Sequence, residues 1–288
     1  MRALPAIAVT GSSGAVGGYV AANLARRGIP QRLLVRNPAR APQLPNSSIH
    51  RFSYSHREAA IAGIGEAAVL FMVSASESAE RLDEHRAFVD AAASAGVKHV
   101  VYTSFAAAAA DATFTLARDH HITEEYIKES GMGWTFLRDG FYIDFMEALV
   151  GQDGVIRGPA GDGRAAFVAR ADVSRAAAAV LAEPGRHVGR TYDLTGPAAL
   201  TLTEVAETLS RIRGEKVSYH PETIEEAYRS RAAFNAPQWQ VDAWVTTYTA
   251  IGSGVMSRVS PDIEKLTGLA PISLETYLRE MESERPSE

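Results

Sequence analysis

The chain has 288 residues, 46% hydrophobic and 22% charged, which suits one large globular domain or a domain with a smaller lobe. Its 29 basic and 34 acidic residues leave a formal charge of −5 with no basic stripe, so nucleic acid is excluded as a partner. It has no cysteine, which removes disulfides, thiolate catalysis and cysteine-ligated zinc.

No run reaches the roughly 18 apolar residues of a membrane helix, so no membrane association is expected. Only Arg2 precedes the first apolar stretch, and glycines interrupt that stretch at once, unlike a signal peptide. A cytoplasmic location is expected, and a homodimer is left open.

Taken in chain order, Ala6–Thr10 is a compact apolar run that stops at Gly11. Ala15–Arg27 has helical spacing and ends near Gly28. Gln31–Val35 is strand-like and is broken by Asn37-Pro38. Ile49–Ser53 is a weak strand, whereas Ala67–Val73 is a strong buried one. Glu80–Ala95 reads as a helix closed by Gly96, and Val97–Ser104 as the next strand. Ala106–Ala110 reads as a loop or a helix start, Arg118–Ser130 as a helix closed by Gly131, and Trp134–Arg138 as a sixth strand. Strands that are apolar throughout, alternating with helices, predict an α/β fold: a doubly wound parallel Rossmann sheet covered on both faces. Ligands of such a sheet bind at the C-terminal ends of its strands.

The pattern loosens after about residue 150, where five glycines fall from Gly151 to Gly163 with Pro159 among them. A helix over Asp172–Ala182, a strand-like Tyr192–Thr195 and a helix opened by Thr201 follow, the last with Glu204 placed for a capping box. Trp239, Trp244 and Tyr248 share one helical stretch; they are either core or the roof of a pocket. Residues 1–150 are expected to form a dinucleotide-binding domain and 151–288 a smaller, interleaved substrate lobe of α/β character with a soft boundary.

The sharpest motif is the Gly-x-x-Gly-x-x-Gly of Gly11, Gly14 and Gly17, which follows a strand and opens a helix. Gly11 allows a tight turn, Gly14 lets the backbone approach a pyrophosphate, and Gly17 lets helix and strand pack closely. The helix N-terminus then offers free N–H groups and a positive dipole end to the phosphates. Thr10, Gly11, Ser13, Gly14, Ala15, Val16 and Gly17 are therefore read as cofactor-binding. The second strand ends Val35-Arg36-Asn37-Pro38, with Arg40 close behind and no acidic residue to grip a ribose 2′-hydroxyl. A guanidinium there suits a 2′-phosphate, so the cofactor is read as NADP(H) with Arg36 as its main contact.

Taken together, LLVRNP after the glycines, AGVKHVVYTS (Ala95–Ser104), HxxTE (His120–Glu124) and WTFLRDGFY (Trp134–Tyr142) resemble the NmrA-like group of atypical short-chain dehydrogenases. Gly189–Ala206 and Ser257–Gly268 fit the same group, so the resemblance covers nearly the whole chain. It implies a Rossmann domain holding NADP(H), a small C-terminal lobe closing over it, and hydride transfer to quinones, azo compounds or dyes. Other members of the group sense the NADP(H) balance without turnover, so a non-catalytic regulator is the alternative. A third reading, a sugar-nucleotide epimerase, is disfavoured because none of the ten tyrosines has Lys four residues later; Tyr126 is followed by Ser130. The same departure removes the usual acid of short-chain dehydrogenases. A quinone needs only a hydride and a proton, so the protein can contribute mainly proximity and orientation.

The remaining candidates come from strand ends and from the resemblance. Ser74, Ala75 and Ser76 end the fourth strand and Thr103, Ser104 and Phe105 the fifth; Ser74 and Ser104 can bond the ribose or nicotinamide, or merely cap their strands. The resemblance puts His120 near the nicotinamide ribose, as a proton relay with a pKa near physiological pH; it can equally be a surface histidine. His120 and Glu124 are four apart on a helix, but no third ligand supports a metal, and none is expected. The resemblance also places the loop Arg138–Tyr142 against nicotinamide and substrate, giving Asp139, Gly140 and Phe141 as cofactor contacts and Tyr142, with His120, as a catalytic candidate. Phe141, Tyr142 and Phe145 can form an aromatic wall for a small planar or quinone substrate, or pack as core.

Overall fold

The structure, a computed structural model, describes residues 7–284; Arg2 and Ala6 lie outside the described residues. Its first half runs β1 (Ile7–Val9), α1 (Ala15–Arg26), β2 (Gln31–Val35), β3 (Ser47–Arg51), α2 (Arg57–Ile64), β4 (Val69–Met72), α3 (Arg81–Ser94), β5 (His99–Phe105), α4 (Thr115–Glu129) and β6 (Gly133–Asp139). The second half runs β7 (Val155–Gly158), β8 (Arg164–Ala165), α5 (Arg170–Ala182), β9 (Arg190–Leu194), β10 (Leu200–Thr201), α6 (Leu202–Arg213), β11 (Ser218–Pro221), α7 (Ile224–Arg231), α8 (Gln238–Gly252), α9 (Asp262–Thr267) and α10 (Leu274–Glu284). The doubly wound parallel sheet is present, with seven strands in the order β3-β2-β1-β4-β5-β6-β9.

The strands read as continuously apolar because each face of the sheet has its own core. Ile7, Val9, Leu33, Val69, Phe71, Val101 and Leu137 point to one side, against Val20 and Leu24 of α1 and Val173, Ala177 and Val180 of α5. Ala8, Leu34, Leu70, Met72, Val100, Tyr102 and Phe136 point to the other, against Ile64 of α2, Phe88 and Val89 of α3 and Ile127 of α4. The side-chain period of two makes every strand residue a core residue once helices cover both faces. The chain order reverses between β1 and β4, which opens the crevice where a doubly wound sheet takes its ligand.

Element positions differ from the sequence reading in a few places. α2 has no counterpart there: its eight residues open with Arg57 and Glu58 and run into Gly63 and Gly65, so it shows little apolar periodicity. The weak third strand sits two residues earlier than its apolar letters suggest, and α4 begins at Thr115 rather than Arg118. Ala106–Ala110 is a turn rather than a helix start, with Ala107 at a φ of 56°.

Beyond residue 150 the chain both builds a lobe and returns to the sheet. β7 pairs with β11, β8 with β10, and α6, α8 and α10 close over Leu202, Val205, Leu209, Ile251, Leu274 and Leu278. Between these pieces α5 lies along α1, the Ser174 hydroxyl donating to the Val16 carbonyl at 3.2 Å, and β9 pairs with β6 as the seventh parallel strand. The chain thus enters the lobe after β6, leaves it through α5 and β9, and enters it again at β10. A bridge between Tyr142 and Val168 ties the loop after β6 to the lobe, with Val168 N–H donating to Phe141 O at 3.0 Å.

The capping box of α6 is present. The Thr201 hydroxyl accepts the Glu204 N–H at 3.1 Å, and Glu204 Oε2 accepts the Thr201 N–H at 2.9 Å. Thr201→Ala strips one side of this exchange and is expected to destabilise the protein by about 1 kcal/mol. Thermal unfolding should show Tm lower by about 2 °C; an unchanged Tm would mean the cap contributes nothing.

Candidate active site

β1 ends in the glycine turn. Gly11 has a φ of 62°, a left-handed conformation, and its carbonyl accepts the Gly14 N–H at 2.8 Å. A Cβ on Gly17 would lie 2.4 Å from the Gly11 oxygen, so only a hydrogen at that position lets α1 approach the end of β1. Gly14 is the N-cap of α1 with no side-chain acceptor, and the first turn has no acidic residue. The first-turn N–H groups and the positive dipole end are therefore available to an anion.

These N–H groups open onto a cavity of about 610 Å³ lined by Gly11, Ser13, Gly14, Ala15, Val16 and Gly17. Arg36 and Arg40 line its far side at the end of β2, and Ser74, Ala75 and Ser76 its side beyond β4. Asn37 starts the turn that places Arg40: its side chain accepts the Ala39 N–H at 3.1 Å. A glycine cradle at a helix N-terminus, with two arginines and no carboxylate at the end of β2, fits NADP(H). The pyrophosphate would lie on the α1 turn, and a 2′-phosphate near Arg36 and Arg40.

A second cavity, about 740 Å³, adjoins the first and shares Val16, Val73, Ser74–Ser76, Tyr142 and Arg170 with it. Phe105, Phe114 and Phe141 form one wall, with ring centroids 5.0 to 5.4 Å apart. Trp244 and Tyr248 of α8 and Leu202 of α6 bring the lobe to the opposite side. Phe145 adds a ring that is 46% exposed, and the Arg170 guanidinium lies 4.0 Å from its centroid and 5.0 Å from that of Tyr142. Asp139, buried at the end of β6, accepts the Tyr142 hydroxyl at 2.6 Å. Desolvation pushes the Asp139 carboxyl up to about 7, against the opposing pull of the Tyr142 hydrogen bond and the Arg170 charge. Burial first, and then the Asp139 carboxylate, push the Tyr142 phenol well above its usual range.

Behind the β4 and β5 ends lies a buried polar network. Thr103 Oγ1 accepts the Ser74 N–H at 2.9 Å, and His85 Nε2 accepts the Ala75 N–H at 2.9 Å. His85 Nδ1 therefore carries the hydrogen and donates to Thr123 Oγ1 at 2.9 Å. Arg81 Nη2 donates to His120 Nε2 at 2.9 Å, so His120 Nδ1 donates to Tyr102 Oη at 2.9 Å. Burial first, then the Arg81 charge, hold His85 down to about 3 and His120 well below its usual range. Both rings are neutral fixtures that aim the Ser74–Ala75 backbone and the cavity wall.

The sequence-derived residues divide on this geometry. Gly11, Ser13, Gly14, Ala15, Val16, Gly17, Arg36, Ser74, Ala75 and Ser76 line the first cavity; Thr103, Phe105, His120, Asp139, Gly140, Phe141 and Tyr142 line the second. Thr10 lines neither. Its hydroxyl is tied between β1 and β4, accepting from Val73 N–H at 2.8 Å and from Tyr54 Oη at 3.0 Å. Ser104 also lines neither: strand alternation turns it away from Thr103 and Phe105, and it donates to Glu124 Oε1 at 2.6 Å. Glu124 is engaged by Arg138 through Oε1 at 2.8 Å and Oε2 at 2.5 Å, which accounts for the HxxTE acid without a metal. His120 reaches the cavity, but its expected pKa near neutrality does not survive burial, nor do its engaged nitrogens leave it free to relay a proton. Trp239 lines neither cavity, whereas Trp244 and Tyr248 do line the second.

Arg170 and Arg81 were beyond the reach of sequence reasoning, since only tertiary contacts bring them to the cavities; Asp139 and Tyr142 were named from the sequence, but not the hydrogen bond that joins them. Among the described residues, no group of three or more His, Asp or Glu could hold a metal ion, and no helix is long and apolar enough to cross a membrane.

Residues 5–278 match the NmrA-like family, and the chain belongs to it. It is 32% identical over 269 residues to quinone oxidoreductase 2 of Escherichia coli, covering 91% of this chain and 93% of that one. It is 29% identical over 270 residues to an NAD(P)H azoreductase of Xenophilus azovorans, with the same two coverages. The structure of the Escherichia coli NADPH-dependent quinone oxidoreductase QOR2 complexed with NADPH superposes with a TM-score of 0.87 at 31% identity, over 96% of this chain and 99% of that one. The Citrobacter sp. triphenylmethane reductase complexed with NADP(H) gives 0.84 at 30% identity, over 95% and 99%.

The neutral histidine pair has a direct signature. Nitrogen-15 NMR of the imidazole groups should show His85 and His120 as neutral Nδ1–H tautomers unchanged between about pH 5 and 8. Protonation of His120 in that range would overturn its structural assignment.

Proposed function

We propose that this protein is an NADPH-dependent reductase that delivers a hydride to quinones or similar planar acceptors such as azo or triphenylmethane dyes. The single observation that carries this is the shared wall: a dinucleotide cradle and an aromatic cavity meet at Ser74–Ser76, Tyr142 and Arg170. Relatives named for quinone, azo-compound and triphenylmethane reduction, covering nearly the whole chain, support the same reading.

Bound at the cradle, NADPH supplies the hydride. The chain does the rest. The α1 turn and Arg36 with Arg40 fix the cofactor's phosphates, and residues 1–150 supply this half of the site. Residues 151–288 contribute Phe167, Arg170, Leu202, Trp244 and Tyr248, which close the acceptor side and exclude water. A flat ring between Phe141 and Tyr142 on one side and the lobe on the other is held by apolar burial and ring stacking rather than by a specific acid. The absent Tyr-x-x-x-Lys pair is then no handicap, since a quinone carbonyl is reduced without prior activation of an alcohol. Tyr142, like Ser74 and Ser76, lines both cavities, and its place beside Phe141 and the Asp139 carboxyl makes it the candidate to contact the acceptor.

Mixing the purified protein with NADPH and a panel of benzoquinones, naphthoquinones and azo or triphenylmethane dyes should consume NADPH with at least one of them, followed at its absorbance band. No turnover across such a panel would sink the reading. The cofactor choice is tested separately. Arg36→Asp removes an interaction of the 1.5–3 kcal/mol class and should weaken NADPH binding on the order of 10- to 100-fold while leaving NADH binding nearly unchanged. Equal loss for both cofactors would show that Arg36 does not read the 2′-phosphate.

A further inference from the structure

Asp139 is an unusual ending for a central strand. The residue is 4% exposed and lines the aromatic cavity, and its carboxyl accepts the Tyr142 hydroxyl at 2.6 Å. Tyr142 in turn stands at the wall shared by the two cavities, beneath the Arg170 guanidinium. We propose that Asp139 is the proton store of the reaction and that Tyr142 hands its proton to the acceptor oxygen. The proposal rests on the reductase reading and adds to it the source of the second hydrogen.

The groups facing the pair come from several elements. Arg170, opening α5, is the cation that acts on both, and its own backbone N–H is held by Asp144 Oδ2 at 3.0 Å, in the turn after Tyr142. Elsewhere on the cavity wall stand Glu77, Arg81 of α3 and the neutral His120 of α4. Arg170 and the tyrosine hydrogen bond favour the Asp139 carboxylate, but removal from water outweighs them. The protonated acid is thus populated around neutral pH, where a general acid both holds its proton and releases it readily. When Asp139 carries the proton, it can donate to Tyr142 Oη, which frees the phenol hydrogen for the cavity.

The step balances as follows. The hydride brings the acceptor two electrons and one hydrogen, leaving negative charge on a carbonyl oxygen. The Tyr142 O–H bond breaks and its proton bonds that oxygen; the Asp139 O–H bond breaks and its proton restores the phenol. Water returns a proton to the Asp139 carboxylate. In sum, quinone, NADPH and one proton give hydroquinone and NADP⁺.

The test combines kinetics with a titration of the protein without cofactor. Carbon-13 NMR of protein labelled at aspartate carboxyls should show one group titrating at about 7. In Tyr142→Phe that titration should move upward, because the hydrogen bond that favours the carboxylate is gone. In the wild type, kcat with a quinone should be level below about pH 7 and fall above it. Asp139→Asn should lower kcat on the order of 10²-fold and flatten this profile, with NADPH binding retained by fluorescence titration. Asp139→Glu, which keeps an acid, should recover part of the rate and the pH dependence. Wild-type aspartates all titrating in the ordinary carboxylate range, or Asp139→Asn keeping the wild-type rate and pH profile, would overturn the proposal. If the Asn variant does not fold, the wild-type titration and the Glu variant still decide it. A protein that turns over no quinone but shows the carboxyl titration would overturn the reductase reading and the proton transfer with it, leaving only the raised Asp139 acid.

Discussion

Helix α1 reaches the end of β1 closely enough that a methyl group at Gly17 would run into the Gly11 carbonyl, and the site is built outward from that approach. The contact sets where the positive end of α1 points and leaves its first N–H groups uncapped. It also brings Val16 to the boundary of both cavities and lets α5 lie along α1, with Ser174 bonded to the Val16 carbonyl. Because α5 begins at Arg170, the helix that packs on the phosphate-binding element also delivers the guanidinium beside Tyr142 and Phe145. One steric allowance in the first turn thus fixes the geometry of the cradle and of the wall it shares with the acceptor cavity.

The polar groups of the interior are placed with comparable economy. Thr103 and His85 accept the Ser74 and Ala75 N–H groups beyond β4, and Thr123, His120 and Arg81 stand behind them in a side-chain network whose two histidines are held neutral. The Glu124 carboxylate is likewise enclosed, accepting from the Ser104 hydroxyl and from Arg138. Asp139 is the exception, a carboxyl set among apolar rings with its tyrosine partner and a nearby cation, and it is there that burial makes an acid useful at neutral pH.

How much of this was legible in the letters follows from the range of each interaction. Gln31–Val35 and the Thr201–Glu204 box were readable because a local pattern specifies each completely. The glycine turn was readable because three small residues at fixed offsets, after a strand and before a helix, have few other uses. α2 was not, since its short polar opening carries little periodicity. Trp239 was grouped with Trp244 and Tyr248, yet five residues turn a helix by roughly 140° from the nearest full turn, so 239 faces away while 244 and 248 share a side. Ser104 was grouped with Thr103 and Phe105, though alternate strand residues face opposite layers. His120 was expected to titrate near physiological pH, but burial, and after it the Arg81 charge 39 residues away in sequence, hold it well below, and only the fold makes those surroundings.

The path of the chain through the sheet has a further consequence for biosynthesis. β6 gains its outer neighbour only when β9 arrives, and the lobe segments β7 and β8 are made in between. A chain still on the ribosome, with six strands formed and residues near 190 not yet translated, presents β6 as a raw sheet edge with its outward hydrogen-bonding row unsatisfied. Nascent chains at that stage are the ones most open to pairing with one another, and the stretch between β6 and β9 is where a chaperone would have most to protect.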